Sequence, residues 1–254
     1  MILLGIIVEI RKSAAGGGGD EGTRRLCESL AAAALPLVDH ILTLHFRADG
    51  RDVGAARPGA AFWERSDGAG GPLADDSGAV VVDPGHATEL AGFLAELTED
   101  LPPGGEAAER VLAASLAIHL FADGIGFTRS GAMSKFVDLR SGRLLPDTQA
   151  AAASGGEARP TAPWWNVREH SAAALRLYTR TRDERLVETY RRAQHASYLL
   201  YPNRRLGGQM IQSIDPVTLE PLDLAPATGN LDPMHDTRAR AREIECLEEL
   251  LAEE

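Results

Sequence analysis

Cysteine is scarce in this sequence: only Cys27 and Cys246 occur among its 254 residues. The two lie far apart along the chain, and neither belongs to a Cys-x-x-Cys pair. This usage argues against a disulfide-stapled scaffold and against a cysteine-ligated metal site. It is typical of proteins in a reducing compartment, so we expect a cytoplasmic location.

Positive charge is also in short supply. Lys and Arg number 26 against 37 Asp and Glu, which gives a formal net charge of −11. A chain with this balance lacks the basic surface that attracts phosphate backbones and anionic lipids. We therefore expect neither nucleic acid nor a membrane surface as a partner.

The apolar run that opens the sequence, MILLGIIV, is short. Its positive charges follow the run, and no A-x-A cleavage site ends it, so it predicts neither a signal peptide nor a transmembrane span. The stretch AAGGGGDEG that comes next has the composition of a flexible linker. We expect residues 1–23 to be flexible and residues 24–254 to form one folded domain.

Helical periodicity dominates the rest of the chain, whose 44% hydrophobic and 25% charged residues are ordinary for a globular protein. Short hairpins are predicted in the intervening loops, within residues 48–80, around Lys135–Leu139 with a turn at Gly142, and within residues 207–223. Residues 149–156 have the composition of a linker, and Pro36 predicts a kink or boundary. The predicted helices cover residues 24–46, 83–101, 105–124, 163–181, 182–201 and 232–254.

Two of these helices begin with nearly the same motif, VDPGHATEL and LDPMHDTRA. In each, Asp suits the N-cap and Pro the first helical position, which places His86 and His235 in the first turn. The positive end of the helix macrodipole favours the neutral form of an imidazole there. Glu89 and Arg238 follow three residues later, on the same helix faces as the histidines.

A third helix start, PWWNVRE, carries Trp164, Trp165 and Glu169. If the helices alternate in direction, the three starts lie at one end of the molecule, where their side chains could line one pocket. The simpler interpretation is that the first-turn histidines are surface or cap residues and the tryptophans are core residues. We interpret the remaining histidines as structural: His40, His45, His119, His170 and His195.

Four segments, in order over roughly residues 30–254, resemble motifs of the N-acylglucosamine 2-epimerase family. DPGHATE resembles its Pro-Gly-His-x-x-Glu motif, PWWNVREHSAAAL its Trp-Trp-x-x-x-Glu helix, and MHDTRA its closing His-x-x-Arg helix, while KFVDLRSGRLLPD is similar to the hairpin before the tryptophan helix. The resemblance implies an all-α dominated fold, an (α/α) toroid of the six-hairpin type with short β-hairpins in its loops. Its inner helices would surround a sugar pocket.

The same resemblance implies a cofactor-independent sugar 2-epimerase or aldose–ketose isomerase that uses no metal. His86 and His235 would be the acid/base groups, Glu89, Glu169 and Arg238 polar contacts to the sugar, and Trp164 or Trp165 a wall of its pocket. A base must remove the proton beside the carbonyl and an acid must return it, and two imidazoles suit both tasks near neutral pH. An arginine nearby stabilises the enediolate oxygen.

The resemblance covers only the later part of the family domain, so we expect an incomplete barrel with one open side. An apolar face along the helix of residues 24–46, or along its neighbour, would then be uncovered, and a second copy or a complementary half-domain is a possible partner. Two other functions remain open at this point. One is a catalytically silent sugar- or protein-binding relative, and the other a glycoside hydrolase using Glu89 and Glu169 as its carboxylate pair.

Overall fold

The structure is a computed structural model that describes residues 2–15, 20–203, 209–222 and 235–253. Helices dominate the described residues, as predicted, and the strands are only two residues long. The helices are α1 (Ile2–Ala15), α2 (Glu21–His45), α3 (Pro84–Leu97), α4 (Glu106–Gly126), α5 (Thr148–Ser154), α6 (Trp164–Thr181), α7 (Arg185–Leu200) and α8 (His235–Ala252).

The strands form four antiparallel pairs that fix the loops. They are β1 (Phe46–Arg47) with β2 (Ala61–Phe62), β3 (Val81–Val82) with β4 (Val137–Asp138), β5 (Ala162–Pro163) with β8 (Ser213–Ile214), and β6 (Pro202–Asn203) with β7 (Gln209–Met210). The β1–β2 pair is the hairpin expected within residues 48–80, displaced toward the end of α2.

Two of these pairs join distant segments, and the same strands also close the predicted local hairpins, since Val137 bridges Leu144 around the turn at Gly142 and Ile214 bridges Pro221. The strand expected near Lys135–Leu139 pairs with β3, directly before α3, although an isolated bridge also joins Val137 to Leu144. Within residues 207–223, β8 pairs with β5, directly before α6. Strand pairing therefore anchors the starts of α3 and α6, the two helices that carry His86 and the tryptophan pair.

The helices that carry the motifs pack side by side. Helix α6 contacts α3 on one side and α8 on the other, while α4 covers α3 and α7 covers α6. The main core lies between these helices and the strand pairs. Its largest fully buried apolar side chains include Trp63, Leu90, Leu94, Ile118 and Met133.

Helix α1 corrects the expectation that residues 1–23 are flexible. Leu4 and Val8, one helical turn apart, are both buried in the main core. Gly5 lies against Phe93 of α3, so closely that a Cβ at this position would sit 2.7 Å from the ring. One apolar stripe of the opening run thus faces α2 and α3. Residues 16–19 of the expected linker lie outside the described residues.

Two smaller expectations also change. Helix α2 runs through Pro36 without ending there. Residues 149–156, expected as a linker, mostly form α5, because the Asp147 carboxylate accepts a hydrogen bond from the Ala150 amide at 2.9 Å and so caps this short helix.

Helix α2 is long and apolar enough, by length and composition alone, to cross a membrane. Its face with Ala31, Ala34 and Val38 is nevertheless buried in the core of this fold. Only 22% of its most apolar window is buried, and both core helices of soluble proteins and signal sequences near an N-terminus pass the same test.

Apolar side chains are exposed on two neighbouring helices. Helices α1 and α8 are linked by ion pairs from Lys12 to Glu245 and from Arg242 to Glu9. An uncovered apolar face was expected along residues 24–46 or a neighbour; Leu26 of α2 is exposed, and so are apolar side chains of α1, which packs against α2, and of α8. The exposed side chains on these two helices are Leu3, Ile6 and Ile10 of α1 and Ile244, Leu247 and Leu251 of α8.

The packing of α1 predicts a contrast between two adjacent leucines. Leu4→Ala should lower the free energy of unfolding by about 2–5 kcal/mol, because it removes a fully buried side chain from the core. Leu3→Ala changes a side chain that is 58% exposed and should stay within about 0.5 kcal/mol of the parent. Denaturant unfolding of both variants measures the difference, and equal, small effects would mean that α1 is not part of the core.

Candidate functional site

The first turns of α3, α6 and α8 converge, as expected for helices that start at one end. The Trp165 ring of α6 stacks on the His235 ring of α8, with a centroid distance of 4.8 Å. The His86 ring of α3 lies 5.7 Å from the same indole. The structure therefore brings the two predicted acid/base residues to one aromatic side chain.

The cap at the start of α3 forms as the sequence predicts. The Asp83 carboxylate accepts a hydrogen bond from the His86 amide at 3.2 Å, and Pro84 takes the first helical position. The matching Asp232, Pro233 and Met234 lie outside the described residues, and the description of α8 begins at His235.

His86 is held through its Nδ1 atom. This atom lies 3.2 Å from a Glu64 carboxylate oxygen and 3.3 Å from Oδ2 of Asp83. Oδ2 of Asp83 also accepts a hydrogen bond from the Lys135 ammonium at 2.5 Å. The carboxylates contact Nδ1, and the Nε2 atom of His86 makes no hydrogen bond to any residue that the structure describes.

The pKa of His86 is raised above its ordinary value of 6.5, against the expectation of a neutral ring. Burial alone lowers this pKa, but the hydrogen bond that Nδ1–H donates to Glu64 and the negative charges of Asp83 and Glu64 outweigh it. The positive end of a helix amounts to about half a charge. Two full carboxylate charges close to Nδ1 exceed that effect and favour the imidazolium form.

His235 has a carboxylate partner of its own. Its Nδ1 atom lies 2.7 Å from Oε1 of Glu169, which is buried. The Arg238 guanidinium donates hydrogen bonds to the same Glu169 oxygen at 2.6 Å and to Glu89 at 2.5 Å. Each histidine is thus oriented by a glutamate, Glu64 in one case and Glu169 in the other.

Arg238 lies in a partly apolar setting and is fully committed to these carboxylates. Its guanidinium stands 4.9 Å above the Phe93 ring centroid. Burial lowers the pKa of Arg238, but Glu169 and Glu89 together raise it above its ordinary value. The predicted polar contacts Glu89, Glu169 and Arg238 are therefore in direct contact with one another.

The tandem tryptophans divide into a core residue and a site residue. Trp164 is 4% exposed and belongs to the main core. Trp165 is half-buried and contacts both histidines and Lys135, whose ammonium lies 4.5 Å from the indole centroid. The sequence left open which of the two rings lies at the site, and Trp165 is the one that contacts both histidines.

The candidate residues open on three cavities, one of which, of about 210 Å³, is lined by His86, Glu64 and Phe62. A cavity of about 680 Å³ is lined by His86, Glu64 and Lys135. A far smaller one, about 20 Å³, is lined by Glu89, Glu169 and Arg238. The Trp165 ring contacts both imidazoles. The indole therefore takes the place expected for a sugar between them.

One group of side chains has the spacing of metal ligands. Ligand atoms of Glu89, Glu169 and His235 all lie within 4.8 Å of one another. The Arg238 guanidinium already bonds both carboxylates and supplies the positive charge that an ion would bring. Arginine thus takes the electrostatic role that a metal would have in this cluster.

The structure adds functional-site residues that the sequence did not suggest. Glu64 follows β2, and Lys135 lies in the loop before β4, so neither belongs to a helical motif. A charged residue in a loop carries no periodic signal. The only local hint for Glu64 is the aromatic cluster Phe62 and Trp63 directly before it.

Behind the site lies a second pair of histidines, His119 and His170, both fully buried and stacked at 4.2 Å. The Thr88 hydroxyl lies 3.0 Å from Nδ1 of His119 and 3.1 Å from Nδ1 of His170. Asp123 holds Nε2 of His170 at 3.1 Å. Burial, and then the charge of His170, hold the pKa of His119 well below its ordinary value.

Comparison with known proteins finds similarity in structure only. No family model and no curated protein sequence matches the chain. A sugar epimerase from a ruminal bacterium matches 95% of this chain and 53% of its own length, with 16% identity and a TM-score of 0.59. Cellobiose 2-epimerase from Spirochaeta thermophila DSM 6192 matches 96% and 51%, with 16% identity and a TM-score of 0.59.

D-mannose isomerase also matches, over 65% of this chain and 37% of its own, with 18% identity and a TM-score of 0.51. The chain thus spans about half the length of the two epimerases. At these identities the similarity establishes the fold, and it confirms the (α/α)-barrel class predicted from the motifs.

The carboxylate at His86 generates a prediction about its titration. Glu64→Gln should lower the pKa of His86, because it replaces the charged hydrogen-bond partner by a neutral one. NMR titration of the histidine ring protons measures this value. Glu157→Gln, on the exposed surface, is the control.

The sign of the accompanying stability change follows from linkage. Since the folded-state pKa of His86 lies above 6.5, protonated His86 contributes stability that is fully present below 6.5 and is lost as pH rises through the folded-state value. Glu64→Gln should therefore cost stability mainly on the acidic side of that window. An unchanged His86 titration would show that Glu64 does not set its charge.

Gly85 predicts a second effect at the site. A Cβ at this position would lie within 2.7 Å of the Trp165 ring and closer still to the Asn166 side chain. Gly85→Ala should therefore displace Trp165 and lower the free energy of unfolding by about 1–3 kcal/mol.

The matched control is Gly124→Ala in α4, where a Cβ meets no atom within 4 Å. Alanine should stabilise that helix by about 0.5–1 kcal/mol, since glycine costs entropy there. Thermal unfolding and tryptophan fluorescence distinguish the two variants. A neutral Gly85→Ala with parental fluorescence would contradict the tight packing of Trp165 on α3.

Proposed function

We propose that the chain is a cofactor-independent carbohydrate isomerase, which epimerises C2 of an open-chain sugar or interconverts an aldose and a ketose. One observation carries the proposal: His86 and His235 each bind a glutamate through Nδ1 and meet at the same indole. The fold shared with sugar epimerases supports it. The chain spans half of those proteins, so the reaction itself is our proposal.

In this proposal the two imidazoles handle one proton each. A neutral imidazole removes the C2 proton, and the electron pair of the C–H bond moves to form the enediolate, with negative charge on the carbonyl oxygen. The second imidazole, as imidazolium, returns a proton to the opposite face of C2 to give the epimer. Return of a proton to C1, together with transfer of the C2 hydroxyl proton to the oxygen on C1, gives the ketose instead.

The raised pKa of His86 suits it to the donor role near neutral pH. We therefore assign His86 as the acid and His235 as the base in one direction, with the roles exchanged in the other. Glu64 and Glu169 fix the ring orientations and stabilise the imidazolium forms. For the sugar to reach both imidazole rings, the Trp165 side chain must move away from the position between them.

Arg238 is assigned to hold Glu169 and Glu89 in place and to lend positive charge to the enediolate oxygen. This contact differs from a hydrolase, in which two carboxylates flank a scissile bond with open space between them. Here Glu89 and Glu169 share one guanidinium. That sharing disfavours the hydrolase alternative.

A silent sugar-binding protein is the second candidate. One observation favours it: among the described residues, His86 lines the large cavity and His235 does not.

We further propose a cytoplasmic location, and a second copy or complementary half-domain as the partner that covers the apolar faces of α1 and α8.

Hydrogen exchange at C2 tests the reaction. In deuterated water the protein should incorporate deuterium at C2 of mannose or glucose, because abstraction precedes either product and the imidazole proton exchanges with solvent. His86→Asn or His235→Asn should reduce turnover by about 10²–10⁴-fold. His195→Asn, an exposed histidine outside the site, is the matched control and should change little.

Mass spectrometry or NMR of the recovered sugar measures the label. A single variant that still labels its own face of C2 but forms little epimer would identify which imidazole serves which face. Binding of sugar without any exchange in the parent would establish the silent binder and refute the isomerase.

A further inference from the structure

The cavity beside His86 is larger than a reacting carbon centre requires. It holds about 680 Å³, within the range of pockets for whole small molecules. His86, Glu64 and Lys135 line it near the site, while Arg65 and Arg143 also line it. Apolar side chains complete the walls: Val81, Phe136, Leu145 and Pro146.

Most charged groups of this cavity are committed to partners within the fold. Glu64 bonds His86, and the Lys135 ammonium bonds the buried Asp83. The Asp75 carboxylate accepts hydrogen bonds from the Ser77 hydroxyl and from the amides of Ser77 and Ala79. These contacts, together with the more distant charge of Arg65, hold the pKa of Asp75 below its ordinary value.

Arg65 and Arg143 differ from these charged groups because they have no such partner among the described residues. Neither guanidinium forms an ion pair within 4.0 Å or a hydrogen bond with any residue among those the structure describes. Their backbones are nevertheless fixed, because the Arg65 carbonyl accepts a hydrogen bond from the Leu73 amide and the Arg143 carbonyl one from the Asp138 amide, both at 2.8 Å. Two unpaired cations are thus presented from ordered loops.

The two arginines come from separate parts of the chain. Arg65 lies between β2 and β3, and Arg143 follows β4. Pairing of β3 with β4, extended by the Leu139 amide bonding the Val80 carbonyl at 2.8 Å, holds the two loops together. The fold therefore brings both guanidiniums to one cavity in a protein whose net charge is −11.

We propose that this cavity selects an acidic sugar, whose carboxylate, phosphate or sulfonate group binds Arg65 and Arg143 while its carbonyl end lies at His86. Guanidinium groups match the oxygens of such anions in paired hydrogen bonds. Both arginines are exposed, so the attraction is screened by salt and the binding advantage should be moderate. This inference rests on the proposed function for the end of the sugar that reacts, but the anion contact is separate from the chemistry.

Calorimetric titration of the full chain tests the inference with three matched ligands: mannose, mannose 6-phosphate and mannuronate. Both acidic sugars should bind on the order of tenfold more tightly than mannose, and added salt should reduce that advantage. The phosphate and carboxylate arms show which anion the cavity prefers. Inorganic phosphate should compete with the acidic sugars.

Arg65→Gln and Arg143→Gln should each remove most of the advantage of the acidic sugars and leave mannose binding unchanged. Arg129→Gln is the matched control, because Arg129 is also exposed but does not line this cavity. Both variants replace exposed side chains, so the fold should persist, as thermal unfolding checks.

Equal binding of neutral and acidic sugars by the parent, or variants that leave the preference intact, would overturn the inference. The preference for acidic sugars and the exchange of the C2 hydrogen are separate measurements, so one hypothesis can be refuted without the other. Deuterium exchange into mannose without any acidic preference refutes the anion site alone, whereas arginine-dependent binding of acidic sugars without exchange supports the anion site and refutes the isomerase.

Discussion

The Arg238 guanidinium is the contact on which the site most depends, because it joins three helices at one point. It lies on α8 and bonds Glu169 of α6 and Glu89 of α3. Removing Arg238 would leave the partly buried Glu89 and the buried Glu169 without this cation, which is more costly than losing an exposed pair. Glu169 also bonds His235, so the same contact that holds the helices together orients a candidate catalytic ring.

Much of this arrangement could be predicted from the sequence, because helix starts are local. The Asp83 cap, the proline after it and the apolar periodicity define α3 without knowledge of the rest of the fold. The motifs also identified the residues that converge at Trp165, although they could not choose between Trp164 and Trp165. That choice depends on the packing of α6 between α3 and α8, which no single helix encodes.

The features that the sequence did not predict depend mostly on contacts between segments far apart along the chain. Two-residue strands have no readable period, so the pairing of β3 with β4 and of β5 with β8 was invisible, and with it the position of Lys135. Glu64 was missed for the same reason, and so was its effect on the charge of His86. Helix α1 was missed because the glycine run beside it suggested flexibility for the whole segment, although Leu4 and Val8 carry a helical stripe.

The buried histidine pair behind the site has a consequence for its hydrogen atoms. The Thr88 hydroxyl has one proton to donate but lies within hydrogen-bond distance of two ring nitrogens. With both rings neutral, Asp123 requires the proton of His170 on Nε2, so Nδ1 of His170 accepts the hydroxyl proton of Thr88. His119 must then donate from its own Nδ1. While both rings are neutral, a carboxylate on α4 thus dictates the tautomer of a second residue on α4 by way of α6 and α3, whereas a charged His170 would donate from Nδ1 to Thr88 and make Nδ1 of His119 the acceptor.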